Sequence, residues 1–186
     1  MEKGLQKMLK PKDTTSSSKT VKLMPQIVSV VGKSKSGKTT LIEKLIPELK
    51  SQGYRVATIK HSAHSLSFDK PSKDSWRHIK AGSAATAIAS PDQIVLIQPV
   101  TEEPELNMIA RIVGEDYDII LAEGFKQSNA PKLEIHRKAA GPLLSKISNL
   151  IAIATDEPLE TKVRQFSLHD IKGIANFLEN SFIKSK

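Results

Sequence analysis

The chain has 186 residues, enough for one domain with a sizeable core. It carries no cysteine, so disulfides, thiolate metal sites and cysteine nucleophiles are excluded. The formal net charge of +8 gathers at the ends: six lysines face only Glu2 and Asp13 within residues 1–25, and Lys184 and Lys186 close the sequence. The body between them is close to neutral, which argues against a nucleic-acid groove. No apolar run is long enough to span a membrane and the start lacks the apolar core of a leader, so the expectation is a soluble, cytoplasmic protein.

Residues 1–25 combine a Ser/Thr cluster at 14–18 with scattered lysines and two prolines, and are expected to be a flexible basic tail. Residues 26–183 are expected to form the single folded domain. A β-branched run at 26–31 ends at Gly32 and predicts a buried strand. Leu41, Ile42, Leu45, Ile46 and Leu49 recur at helical spacing and predict a helix over 39–52, stopped by Gly53, with Pro47 as a candidate kink. A second strand follows at 54–59, then a short helix at 74–79 for which Asp74 is the candidate cap. Residues 84–89 and 93–97 read as two strands of a hairpin turning at Ser90-Pro91-Asp92. A helix at 105–113, strands at 117–122, 132–136 and 150–154, and a closing helix at 168–182 complete the pattern. The alternation predicts an α/β fold in three layers. Its sheet should be mostly parallel, with at least one antiparallel strand pair contributed by the hairpin.

Gly32, Lys33, Ser34, Lys35, Ser36, Gly37, Lys38 and Thr39 match GxxxxGK[ST], the Walker A pattern, between a predicted strand and a predicted helix. The two glycines let the backbone wrap so that successive N–H groups face phosphate oxygens, and the helix start adds a positive dipole end. Lys38 can reach the β- and γ-phosphates, and the Thr39 hydroxyl can ligate Mg²⁺, with Thr40 on the same turn. Lys33 stands where some P-loop ATPases carry a lysine that reaches across a dimer; the other reading is a solvated loop lysine, since Ser34 and Lys35 replace the glycines usual there.

A P-loop protein needs an acid at a neighbouring strand end to hold the magnesium shell or position water. Glu123 lies at the carboxyl end of its predicted strand and Asp118 at the beginning, so Glu123 is the candidate for the metal and, with Lys38, for catalysis. Asp69 is a further candidate metal ligand, and Asp74 lies in the same connection. That long connection, 61–74, is expected to respond to the γ-phosphate. It also carries His61 and His64, which could bind a transition metal or simply make polar contacts. Lys132, Glu134 and His136 share one strand face, either toward a substrate or toward solvent. Asp156, after the strand at 150–154, is the acid placed nearest a base or ribose.

The phosphate loop, Thr58-Ile59-Lys60-His61 with His64, Asp69-Lys70-Pro71 with Lys73-Asp74-Ser75, Ala81-Gly82, the DIILAEGFK run at 118–126, the PKLEIHR run at 131–137 and Thr155-Asp156 together resemble the molybdopterin-guanine dinucleotide biosynthesis adaptor (MobB) family. The resemblance implies a dimeric GTP-binding protein with weak GTPase activity. It would assist a MobA-like nucleotidyltransferase that joins GMP to molybdopterin. Ser72 departs from the pattern, standing where the family has glycine. Other classes left open are a P-loop small-molecule kinase, a GTP-dependent metal-insertion chaperone using His61 and His64, and a nucleic-acid-binding module disfavoured by the charge distribution.

Overall fold

In the computed structural model, which describes residues 24–64 and 70–184, β1 (Gln26–Gly32) lies inside a six-stranded sheet. Its neighbours are β5 (Ile119–Glu123) on one side and β6 (Lys132–His136) on the other. β2 (Val56–Lys60) pairs with β5, β7 (Leu150–Thr155) with β6, and β8 (Arg164–Ser167) with β7. Every one of these pairings is parallel, in the order β2-β5-β1-β6-β7-β8. Parallel strands buried on both faces need continuous apolar runs, and Ile119, Ile120, Leu121 and Ala122 are all fully buried.

Alternate β-strand residues face opposite layers. Val28, Val30, Leu121, Leu133 and Ala152 meet α1 (Lys38–Ser51) and α4 (Ile171–Leu178) on one face. Ile120, Ala122 and Ile59 meet α3 (Leu106–Val113) on the other. The three layers are those expected. Pro47 does not interrupt α1; both it and Glu43, whose carbonyl loses its partner, sit on the solvent side, where water can take the freed carbonyl. Gly53, at φ 92°, ends α1, and its N–H and that of Tyr54 bond back to Lys50 O and Leu49 O.

The antiparallel pair forms, but outside the main sheet: β3 (Thr86–Ala89) and β4 (Ile94–Ile97) make a separate two-stranded ribbon. α2 (Asp74–Lys80) packs against β3. Asp74 is the first residue of α2 rather than its cap: Lys73 occupies the cap position and no side chain caps the helix. The closing helix is shorter than its sequence pattern, passing into one π-helical turn at Glu179–Ile183. Residues 1–23, most of the expected tail, and Asp69 lie outside the described residues.

Candidate nucleotide site

Gly32 ends β1 where the chain presses against β6: a Cβ there would lie 2.5 Å from the Ile135 carbonyl oxygen and 2.6 Å from Ser36 Oγ. Only glycine fits. Beyond it, Lys35 adopts φ 61° and Gly37 φ 101°, so the loop uses the left-handed region twice, once at a residue with a side chain. Strain of this kind persists where the surroundings fix the backbone. Gly37 caps α1, its carbonyl accepting the Leu41 N–H.

Lys38 arcs back over the loop, donating to Lys33 O at 2.8 Å and Gly32 O at 3.3 Å. Burial pulls its pKa below the ordinary lysine value, with the Glu123 carboxylate opposing that shift. The Thr39 hydroxyl lies 3.0 Å from both carboxylate oxygens of Glu123. Those two side chains are 84 residues apart in sequence and meet because β5 pairs with β1. Lys60 Nζ, from the adjoining end of β2, stands 3.9 Å from the same carboxylate. Hydroxyl and carboxylate oxygens beside a phosphate loop are the hard donors that Mg²⁺ takes, the remaining positions being left to water and phosphate. Asp118, by contrast, is structural: its carboxylate accepts the Arg55 N–H at 2.7 Å, at the far end of the sheet.

The other candidates divide. Asp74 faces Arg77 at 3.4 Å and lines a cleft with β3, away from the phosphate loop. His61 is paired with Glu103 at 2.6 Å and packed against Phe125, while Ser62 bonds the backbone of His64. Among the described residues, no group of three or more His, Asp and Glu gathers as a metal site. His61 and His64 instead line a cavity of about 610 Å³ with Lys60, Glu103 and Phe125, beside Glu123's end of the sheet.

Lys132, Glu134 and His136 face neither solvent nor an open cleft: all three are buried on interior strand β6. Lys132 Nζ donates to the carbonyls of Ser128, Ala130 and Ser148. Glu134 Oε1 accepts the Leu144 N–H at 2.7 Å, and Oε2 has no hydrogen-bond partner among the described residues; burial raises its pKa. His136 bonds Glu157 at 3.0 Å. Lys33 is folded back onto the same region, its Nζ 3.2 Å from where a Cβ on Gly141 would be.

Sequence reasoning missed Arg137. Its Nε donates to Ser36 O at 3.0 Å and its Nη1 stands 3.7 Å from Asp156 Oδ2, while Asp156 Oδ1 accepts the Lys138 N–H at 2.8 Å. Asp156 therefore contacts the end of β6 directly. The available signal was positional: Arg137 follows the strand next to β1, at the edge where ligands bind.

Residues 27–156 match the family model described as "Molybdopterin guanine dinucleotide synthesis protein B", MobB. The chain belongs to the MobB family. This MobB-family chain is 38% identical over 156 residues to the molybdopterin-guanine dinucleotide biosynthesis adapter protein of Haemophilus influenzae, covering 83% of this chain and 88% of that one. It is 36% identical over 163 residues to the protein of the same name from Escherichia coli, covering 84% and 93%. The crystal structure of Bacillus subtilis MobB superposes with a TM-score of 0.65 at 26% identity, covering 84% of this chain and 98% of that one. The fold is the P-loop NTPase type. Among the described residues no helix is long and apolar enough to cross a membrane.

Proposed function

We propose that this MobB-family protein binds GTP with Mg²⁺ at the 32–39 loop and serves as an accessory protein in molybdopterin guanine dinucleotide biosynthesis, assisting a MobA-like nucleotidyltransferase. The observation that carries the reading is the meeting of Thr39 Oγ1 with Glu123 at 3.0 Å beside the wrapped loop and Lys38. In this reading Ser34, Lys35 and Gly37 present backbone N–H groups to the phosphates, Ser36 joins them on giving up its N–H bond to Lys33 O, and Thr40 lies on the first helical turn. Lys38 exchanges its backbone carbonyls for β- and γ-phosphate oxygens, which raises its depressed pKa again. Thr39 and Glu123 hold the metal, directly or through water; the metal neutralises phosphate charge when bound.

Hydrolysis is slow in this reading, because Arg137, the arginine that touches the loop, lies on the β6 side, across β1 from Glu123. A missing arginine finger lowers turnover by roughly 10³–10⁵. The cavity lined by Lys60, His61, His64, Glu102 and Glu103 offers one ammonium and several hydrogen-bonding groups to molybdopterin or to the nucleotidyltransferase. Ile88, Ile94, Val95 and Leu96 are exposed on the detached β3–β4 ribbon. A two-stranded ribbon is marginal in water, and with α2 against β3 these side chains still remain exposed, so a second copy of the chain is the proposed cover, giving a homodimer. The testing experiment is calorimetric titration with GTP and ATP in parallel, with Mg²⁺, on the parent and Lys38→Ala. GTP binding that disappears in Lys38→Ala supports the reading; no binding by the parent, or equal binding by the variant, overturns it.

A further inference from the structure

We propose that Arg137 is a positioning residue for the triphosphate: it sets the peptide between Ser36 and Gly37 so that the Gly37 N–H faces the phosphates. This rests on the phosphate-loop reading above and goes beyond it.

In a planar trans peptide, the carbonyl oxygen of one residue and the N–H of the next point in opposite directions. Arg137 Nε holds Ser36 O at 3.0 Å on the β6 side of the loop. The Gly37 N–H, sharing that peptide, is thereby turned to the side opposite Arg137, which in the proposed function is the phosphate side. Glycine populates φ above and below zero about equally readily, so at Gly37, with φ 101°, the residue type alone does not choose the orientation of the preceding peptide. The guanidinium lies alongside: Nη2 and Nε are 3.5 and 3.6 Å from where a Gly37 Cβ would be, at ordinary contact distance.

Arg137 is fixed in turn. Asp156 Oδ2 stands 3.7 Å from its Nη1, and Asp156 is oriented by the Lys138 N–H on its other oxygen. His136 and Lys138, on either side of Arg137, both contact Glu157, at 3.0 and 3.6 Å. The loop is thus braced by a chain from β7 through Asp156 and Arg137 to Ser36. The guanidinium bonds Ser36 O from Nε and faces Asp156 from Nη1, two nitrogens held apart in one plane, whereas a lysine has a single nitrogen for both, so lysine is not an equivalent. Asp156, placed by its residue type near a base or ribose, acts here through Arg137.

The test measures magnesium-triphosphate affinity for the parent, Arg137→Ala, Arg137→Lys, Asp156→Asn and the Arg137→Ala/Asp156→Asn double variant. Probes are GTP and inorganic tripolyphosphate, with thermal unfolding recorded on the ligand-free proteins. Arg137→Ala should weaken both probes by a similar factor, roughly 10- to 100-fold for a charge-assisted hydrogen bond. Arg137→Lys should recover only part of that loss. Asp156→Asn should weaken binding less, and the double variant should be no worse than Arg137→Ala, because both act through one contact. Unfolding temperatures should change far less than affinities. The proposal is overturned if Arg137→Ala binds both probes as the parent does. It is equally overturned if only GTP is affected, because Arg137 would then touch base or ribose, or if binding falls only in step with loss of folded protein. A parent that binds neither probe would instead remove the phosphate-loop reading.

Discussion

Thr39 and Glu123 are joined across the parallel β1–β5 pair, the hydroxyl equidistant from both carboxylate oxygens at 3.0 Å. The pairing register brings β5's last residue, Glu123, beside Val30, two positions short of the loop, so its side chain extends along the sheet edge to the start of α1. In the proposed function this hydrogen bond is exchanged for a shared Mg²⁺.

Removing either partner should therefore weaken the magnesium-dependent part of triphosphate affinity. Thr39→Val and Glu123→Gln should each lose on the order of 10-fold, about 1.4 kcal/mol, measured by calorimetry with and without chelator. Thr39→Ser should retain most of it. If Glu123→Gln bound nucleotide and magnesium like the parent, the metal role would move to another acid, with Asp69 first to be tested.

Charge placed on the exposed ribbon should break a dimer. Ile94 is 77% exposed and Leu96 47%, and a paired Ile94→Asp and Leu96→Asp change should shift sedimentation from dimer to monomer with nucleotide affinity retained. A parent that sediments as a monomer at tens of micromolar would remove the second copy as the ribbon's cover.

Glu134 should leave a signature in the pH dependence of stability. Its folded pKa is raised by burial, so the native state holds a proton that the unfolded chain has already released. Stability then falls as pH rises from the ordinary glutamate range, about 4.3, through the raised folded value, by up to about 1.4 kcal/mol per pH unit within that window. Glu134→Gln keeps an acceptor for the Leu144 N–H and should flatten this part of the profile. Denaturant titrations at several pH values test it; parallel curves for parent and variant would show that Glu134 does not titrate there.

Ser72 occupies a turn position that favours glycine. Pro71 and Ser72 are the central residues of a turn closed by Lys73 N–H to Lys70 O at 3.3 Å, and Ser72 has φ 75°. The second central position of such a turn calls for glycine. A left-handed non-glycine residue costs roughly 1–2 kcal/mol, partly offset by the ~0.4–1 kcal/mol that glycine adds to unfolded-state entropy. Ser72→Gly should thus stabilise slightly, by about 1 kcal/mol or less, and Ser72→Val should destabilise. Chemical unfolding of both variants checks the order.

The parts legible in the sequence are those whose determinants are local. The phosphate loop is eight consecutive residues, and α1 announces itself through Leu41, Ile42, Leu45 and Leu49. Glu123 was accessible because a strand end is a place as well as a residue. β8 was not, since within RQFS only Phe166 is buried and no period-two pattern survives. The alternation of Lys132, Glu134 and His136 with Leu133 and Ile135 resembles a strand with one wet face. It is misleading because residues further along, Leu144 and Ser148 among them, close over that face and supply its hydrogen bonds. Arg137 reaches Ser36 across 101 positions, a relation that no local pattern contains.

That separation has a temporal side. β1 and its loop leave the ribosome first among the sheet's strands, yet β5, β6 and the Arg137–Asp156 brace all follow residue 118. At ~5–20 residues per second, roughly 5–25 s of synthesis separate the loop from Asp156. Until residue 119 β1 has neither of its sheet neighbours, and until Asp156 the loop lacks its full brace. If nucleotide binds as proposed, it stabilises the braced loop only in a chain synthesised past Asp156, so occupancy would report a sheet assembled through β7 while β8 and α4 are still to come.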